Sequence, residues 1–115
     1  MSDGLFSGET ESVILNKNKL SLSYNIFVND ALVFKKFKSK SITILEDNKP
    51  YLKIGLQNFP NLGIWTKANA PFLCIEPWFG YADDLNATGN ILEKTGIQIL
   101  AINNTFETSF SIEIL

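Results

Sequence analysis

The first residue with the setting for chemistry is a carboxylate embedded in the most apolar stretch of the chain. Glu76 follows Phe72-Leu73-Cys74-Ile75 and precedes Pro77-Trp78-Phe79-Gly80. A strand that delivers a carboxylate among aromatic side chains takes it out of water, and desolvation favours the uncharged acid. That shift moves a carboxyl group towards the range where it can act as a base near pH 7. Two readings are open at this point. Glu76 leaves a central strand into a cleft as a proton-transfer group, or the strand stops at Pro77 and the side chain stands in water.

Little else in the composition competes with it. The chain holds no His and no Arg, so the commonest general acid, the commonest zinc ligand and the usual partner of a nucleophilic Ser or Cys are all missing. Cys74 lies in an apolar run without such a partner, which fits packing and not nucleophilic chemistry. Asp84, Asn86, Thr88 and Gly89 resemble the front of a calcium loop. Thr95 stands where the bidentate Glu belongs, and no helices flank the loop, so neither a metal nor a cofactor is expected. Phe34-Lys35-Lys36-Phe37-Lys38 interleaves cations with aromatics, as a single-strand binder does. With 10 Lys against 12 acidic residues and a net charge of −2, a lysine-decorated sheet edge is the better reading, and nucleic acid is not an expected partner.

The elements that must position Glu76 are strands. Phe106, Phe110, Ile112 and Ile114 alternate with polar residues, and Ile42 and Ile44 alternate with Ser41 and Thr43. After Glu46-Asp47-Asn48-Lys49-Pro50 the alternation resumes at Leu52, Ile54 and Leu56, which predicts a hairpin with a longer-than-minimal loop. Val13–Leu15, Leu20–Tyr24 and Ala31–Phe34 read as further strands. Gly63-Ile64-Trp65 and Pro71–Ile75 read as central strands covered on both faces. A short helical turn fits only at Asn90–Lys94, and 82–90 reads as a polar surface loop. Hydrophobic residues at 45% and charged residues at 19% suit a folded chain, and 115 residues suit one core. The expectation is a single all-β domain over 1–115, an antiparallel β-sandwich. No apolar run nears the roughly 20 residues of a membrane span, and the N-terminus with Asp3 shows no signal-peptide pattern. A single Cys forms no intrachain disulfide, and together these features predict a cytoplasmic protein that does not engage a membrane.

Phe59-Pro60-Asn61-Leu62-Gly63-Ile64-Trp65-Thr66-Lys67 and Ala70-Pro71-Phe72-Leu73-Cys74-Ile75-Glu76-Pro77-Trp78-Phe79-Gly80 resemble the C-terminal part of the aldose 1-epimerase family. The similarity is to its bacterial LacX-like branch, and it extends through Asn29–Phe34 upstream and Lys94–Ile97 downstream. The resemblance implies part of a galactose mutarotase-like supersandwich that interconverts the α and β anomers of aldose sugars. That reaction takes a base at the anomeric hydroxyl and an acid at the ring oxygen. By resemblance Glu76 is the base, Asp30 a sugar-binding carboxylate and Trp65 an aromatic at the sugar site, with Trp78 and Phe79 as further aromatic contacts.

Family members are more than twice as long, and their catalytic histidines lie in the N-terminal portion. With no His, this chain lacks the family's general acid, so weak or absent turnover is expected unless that portion is supplied. Two alternatives stand beside this reading: a sugar-binding module without turnover, and a structural β-sandwich module in which Glu76 is incidental. Part of a sandwich leaves strand edges and apolar faces open, so self-association or pairing with an N-terminal half is expected.

Overall fold

A computed structural model describes residues 4–115, and the expectation drawn at Asp3 lies outside them. The described chain is all-β, with two three-stranded antiparallel sheets and two single-turn 3₁₀ helices. The strands are β1 (Leu32–Phe34), β2 (Ser41–Glu46), β3 (Lys49–Gly55), β4 (Asn61–Trp65), β5 (Cys74–Trp78) and β6 (Ser111–Ile114). One sheet has the order β1-β4-β5 and the other β2-β3-β6. No described helix is long and apolar enough to cross a membrane.

The two sheets share a core because each alternates. In the first, Leu32 pairs with Ile64, Phe34 with Leu62, Ile64 with Ile75 and Leu62 with Pro77, which puts all of these on one face. In the second, Ile42 and Ile112 flank Ile54, while Ile44 and Ile114 flank Leu52. These inner faces supply Ile54, Leu62 and Ile64 to a buried cluster that Phe27 and Leu56 complete. Two apolar faces meeting in this way make a β-sandwich.

Several boundaries differ from the pattern reading. The β2–β3 hairpin closes through two residues, Asp47 and Asn48, with φ of 50° and 62°. Paired positive φ values match the twist of the strands, and Asp and Asn tolerate them, so no longer loop is needed. Pro50 sits inside β3 beside an irregularity in the ladder between Ile44 and Leu45, beyond the reach of β6. Val13–Leu15 and Leu20–Tyr24 are not strands. Only Asn16 and Lys19 form an antiparallel bridge, closed by Lys17 and Asn18 at φ of 50° and 62°. Ile14 is 90% exposed there, and a ribbon without a face to bury it does not propagate. Residues 24–27 instead form a 3₁₀ turn that buries Phe27. Of the expected strand from Phe106 to Ile114, only Ser111–Ile114 pairs. The turn at 90–94 is present as a 3₁₀ helix, Ile91–Glu93, capped by Asn90, whose side chain accepts from the Leu92 N–H.

The largest correction concerns the strand carrying Glu76. β4 is the central strand of its sheet, and β5 is an edge strand starting at Cys74, not at Pro71. Pro77 does not end it: it pairs with Leu62, and Trp78 pairs with Asn61. An edge strand tolerates proline because one side of its backbone has no ladder to feed.

Candidate functional site

Alternation along β4 and β5 divides their residues between two faces. Leu62, Ile64, Ile75 and Pro77 face the core. Asn61, Gly63, Trp65, Cys74, Glu76 and Trp78 take the opposite face, in the pairs Asn61–Trp78, Gly63–Glu76 and Trp65–Cys74. Glu76 therefore shares a face with both tryptophans, in the middle of β5 and not at its end. It is half-buried, as are Trp65 and Trp78. Among the described residues, its side chain enters no hydrogen bond and no ion pair. The deep burial expected from the apolar run is absent because an edge strand is open along one side.

Each neighbour of Glu76 is placed by an identifiable local device. Gly63 lies directly across the ladder, and a Cβ there would stand 2.9 Å from Cζ2 and 3.0 Å from Cη2 of Trp78. The missing side chain is what allows the indole to lie across β4. Trp65 packs against Phe72, with ring centroids 5.5 Å apart. The loop joining β4 to β5 is tied by the Thr66 hydroxyl, which donates to the Phe72 carbonyl, and by the turn in which Ala70 N–H donates to Lys67 O. Tyr24 O–H donates to the Ala70 carbonyl over 3.1 Å and anchors the same loop to the first 3₁₀ turn.

At the other end of the face, buried Asn61 acts as a clamp. Its Oδ1 accepts from Lys36 N–H at 3.1 Å, and its Nδ2 donates to Phe79 O at 2.7 Å. One side chain thus fixes the exits of β1 and β5 on either side of β4. Neither Gly63 nor Asn61 stood out in the sequence reading. The available signal was a polar residue and a glycine interrupting an otherwise apolar strand, which marks a satisfied buried amide and a close approach.

The remaining candidates lie elsewhere. Phe79 follows β5 and packs between Phe59, at 5.0 Å, and Phe106, at 5.3 Å, so its ring belongs to an aromatic cluster and not to the Glu76 face. Asp30 is exposed just before β1, where it lines a groove between β1 and residues 6–15 that Glu76, Trp65 and Trp78 do not line. It holds φ of 104°, and its Oδ1 accepts from Ala31 N–H at 2.7 Å. A non-glycine residue at that angle is strained, at a cost of order 1–3 kcal/mol. Asp30→Gly should therefore raise the thermal midpoint while removing the carboxylate, a pairing that melts and sugar titrations read separately. A lower midpoint would show that the Asp30–Ala31 bond outweighs the strain.

One cation of the lysine-rich segment, Lys35, reaches the polar loop. Lys35 Nζ stands 4.1 Å from the Phe6 ring centre and 4.2 Å from that of Tyr81, and 3.9 Å from Asp84. Lys94 Nζ bonds Asp83 at 2.6 Å. These contacts hold the 82–90 loop against the segment around Phe6, which also bonds Asp83 and Leu85 through its backbone. No group of three or more His, Cys, Asp or Glu side chains gathers among the described residues in a form that could hold a metal.

The chain is similar to LacX. Two curated proteins of Lactococcus lactis subsp. lactis, the chromosomal and the plasmid Protein LacX, are each 35% identical to it over 103 residues. The match takes in 87% of this chain and 34% of either LacX protein, so the chain spans about a third of the length of these curated relatives. No family model matches the chain, and no solved structure does.

Proposed function

We propose that the β4–β5 face is one half of an aldose 1-epimerase-type sugar site, with 1–115 as a single β domain equivalent to the C-terminal part of a LacX-like protein in the cytoplasm. The observation that carries this reading is the placement of Glu76 between Trp65 and Trp78 on the face turned away from the core, with no competing partner for its carboxylate among the described residues. A pyranose offers an apolar ring face and a rim of hydroxyls. An indole can cover the first and a free carboxylate can accept from the second. In this site Glu76 takes the proton of the anomeric hydroxyl, and Trp78, laid across Gly63, supports the ring. Asp30 lies apart from this face, in the groove beside residues 6–15, and acts as a sugar-hydroxyl acceptor only in the completed protein. Phe79 contributes by packing behind the site.

Ring opening also takes an acid at the ring oxygen, and the chain has no imidazole to serve. A positioned acid or base typically contributes about 10²–10⁴-fold, so half a site binds sugar but turns it over little. Binding without turnover is thus the expected behaviour of the chain alone, and the epimerase activity belongs to the completed protein.

The test is a titration with D-galactose and D-glucose, followed by tryptophan fluorescence and, in parallel, by polarimetry of freshly dissolved α-D-galactose. A saturable, aldose-dependent fluorescence change with mutarotation barely above buffer is expected. Glu76→Gln should weaken the fluorescence response about tenfold and leave the melting midpoint within the range of an ordinary surface change, because the carboxylate makes no ion pair among the described residues. A fluorescence signal blind to every aldose overturns the sugar site. A large loss of stability in the Gln variant makes Glu76 a structural residue instead.

A further inference from the structure

We propose that two copies of this chain pair through the free edge of β6, in one register, to form a continuous six-stranded sheet across a twofold axis. The proposal is independent of the sugar site. β6 is the last strand of its sheet, so one side of its backbone has no ladder partner among the described residues. Its inward residues share a face with Leu52 and Ile54, yet Ile112 is 63% and Ile114 is 83% exposed. The core that covers β2 and β3 stops short of β6. An apolar stripe on an unpaired edge whose single charge, Glu113, points to the other face is the arrangement that invites a second strand.

What singles out another copy is that the edge is complementary to itself in a single way. Antiparallel pairing across a twofold axis keeps apolar residues on one face only if an axis passes through a residue position, since a slip by one turns every side chain over. Centred on Glu113, the pairing sets two carboxylates directly opposite each other. Centred on Ser111, it pairs Ile112 with Phe110 but sets Ile114 against Thr108. Centred on Ile112, it pairs Ile112 with its own copy, Ile114 with half-exposed Phe110, and Glu113 with Ser111. Only this last register gives Phe110, Ile112 and Ile114 each an apolar partner while keeping like charges apart. Glu113 already has Lys53 on its own side, 3.9 Å away, so its carboxylate meets a neutral hydroxyl across the new ladder.

Light scattering and sedimentation on the full chain, from micromolar to several hundred micromolar, are expected to show a dimer of twice 12.9 kDa. Ile112→Lys should leave a monomer over that range, with circular dichroism unchanged because the position is already largely in solvent. Ser111→Glu should weaken the dimer about fivefold, since it sets two like-charge pairs across the axis, and Ser111→Lys should tighten it. A chain that stays monomeric, or that grows into an open series of larger species, overturns the proposal.

Register is read by disulfide trapping in a Cys74→Ser background. Directly opposed residues of an antiparallel pair lie about 4.5–5.5 Å apart at Cα, within reach of a disulfide. Ile112→Cys is therefore expected to give a covalent dimer under mild oxidation, and Glu113→Cys is not. Trapping through Glu113→Cys, or through neither, overturns the register.

Discussion

Truncating Leu62 to alanine is expected to lower stability by about 3 kcal/mol, within the usual range for a buried leucine, and to lower the melting midpoint by roughly 15 °C. Leu62 is 1% exposed, in the middle strand of its sheet, paired to Phe34 on one side and Pro77 on the other. Its side chain fills the space between the two sheets, where Ile54 and Leu56 come from the other side. The buried cluster has only five members, so few neighbours are free to collapse into a hole. Against a total of about 5–15 kcal/mol for a domain of this kind, one such loss is a large fraction. Ile114→Ala is the matched control. The same apolar chemistry at 83% exposure should change chemical-denaturation midpoints only slightly in the monomer. Equal losses at the two positions would mean that the core does not lie between the sheets.

The contrast between those two isoleucine- and leucine-bearing strands also shows how much of the architecture is legible in the residue pattern. Alternation is a local property, and it located β2, β3 and β6 and the faces they turn inward. It carries no information on strand order. Cys74-Ile75 reads as the interior of a sheet because it is apolar, yet β5 is an edge, and the strand bonded on both sides is the one with a glycine and an asparagine in it. Val13–Leu15 fails for a related reason. Its residues have strand-forming side chains, but strand formation depends on a surface to cover, and none is present there. The hairpin turn at Asp47-Asn48 was hidden by Pro50, which reads as loop until its position beyond the end of β6 is known.

The site divides along the same line. Spacing sets Glu76 and Trp78 two residues apart, but they share a face only because the strand runs on through Pro77, which the sequence reads as its end. Bringing Trp65 to that face takes the β4–β5 register, which no local pattern supplies. Asp30 and Phe79 entered as candidates only through the family resemblance, and neither joins Glu76 on its face. Phe79 is out of phase with Trp78 by one residue, and its ring goes to Phe59 and Phe106. Asp30 stands in a groove bounded by residues 6–15, a segment outside both sheets.

Gly63→Val should reverse the sign that strand propensity gives. In open space, replacing glycine by valine in a strand is stabilising, since valine is favoured there and glycine loses more chain entropy on folding. At Gly63 the first added carbon meets the Trp78 ring at 2.9 Å, and the two methyl groups of valine occupy more of the space held by the indole. The rigid ring must rotate away from β4, with a cost typical of overpacking, about 1–3 kcal/mol. Near-ultraviolet circular dichroism should change with it, because the indole loses its fixed surroundings. The sugar-dependent fluorescence change should disappear even though Glu76 is untouched, since the flat surface beside the carboxylate is gone. Trp78→Ala supplies the decisive comparison. Once the ring is removed, Gly63→Val has nothing to strike, and its effect should turn from destabilising to neutral or stabilising. Such a coupling between the two positions, measured as a double-mutant cycle in denaturant, is what a ring seated on Gly63 requires. Additive effects would place the indole elsewhere and remove the platform from the proposed sugar site.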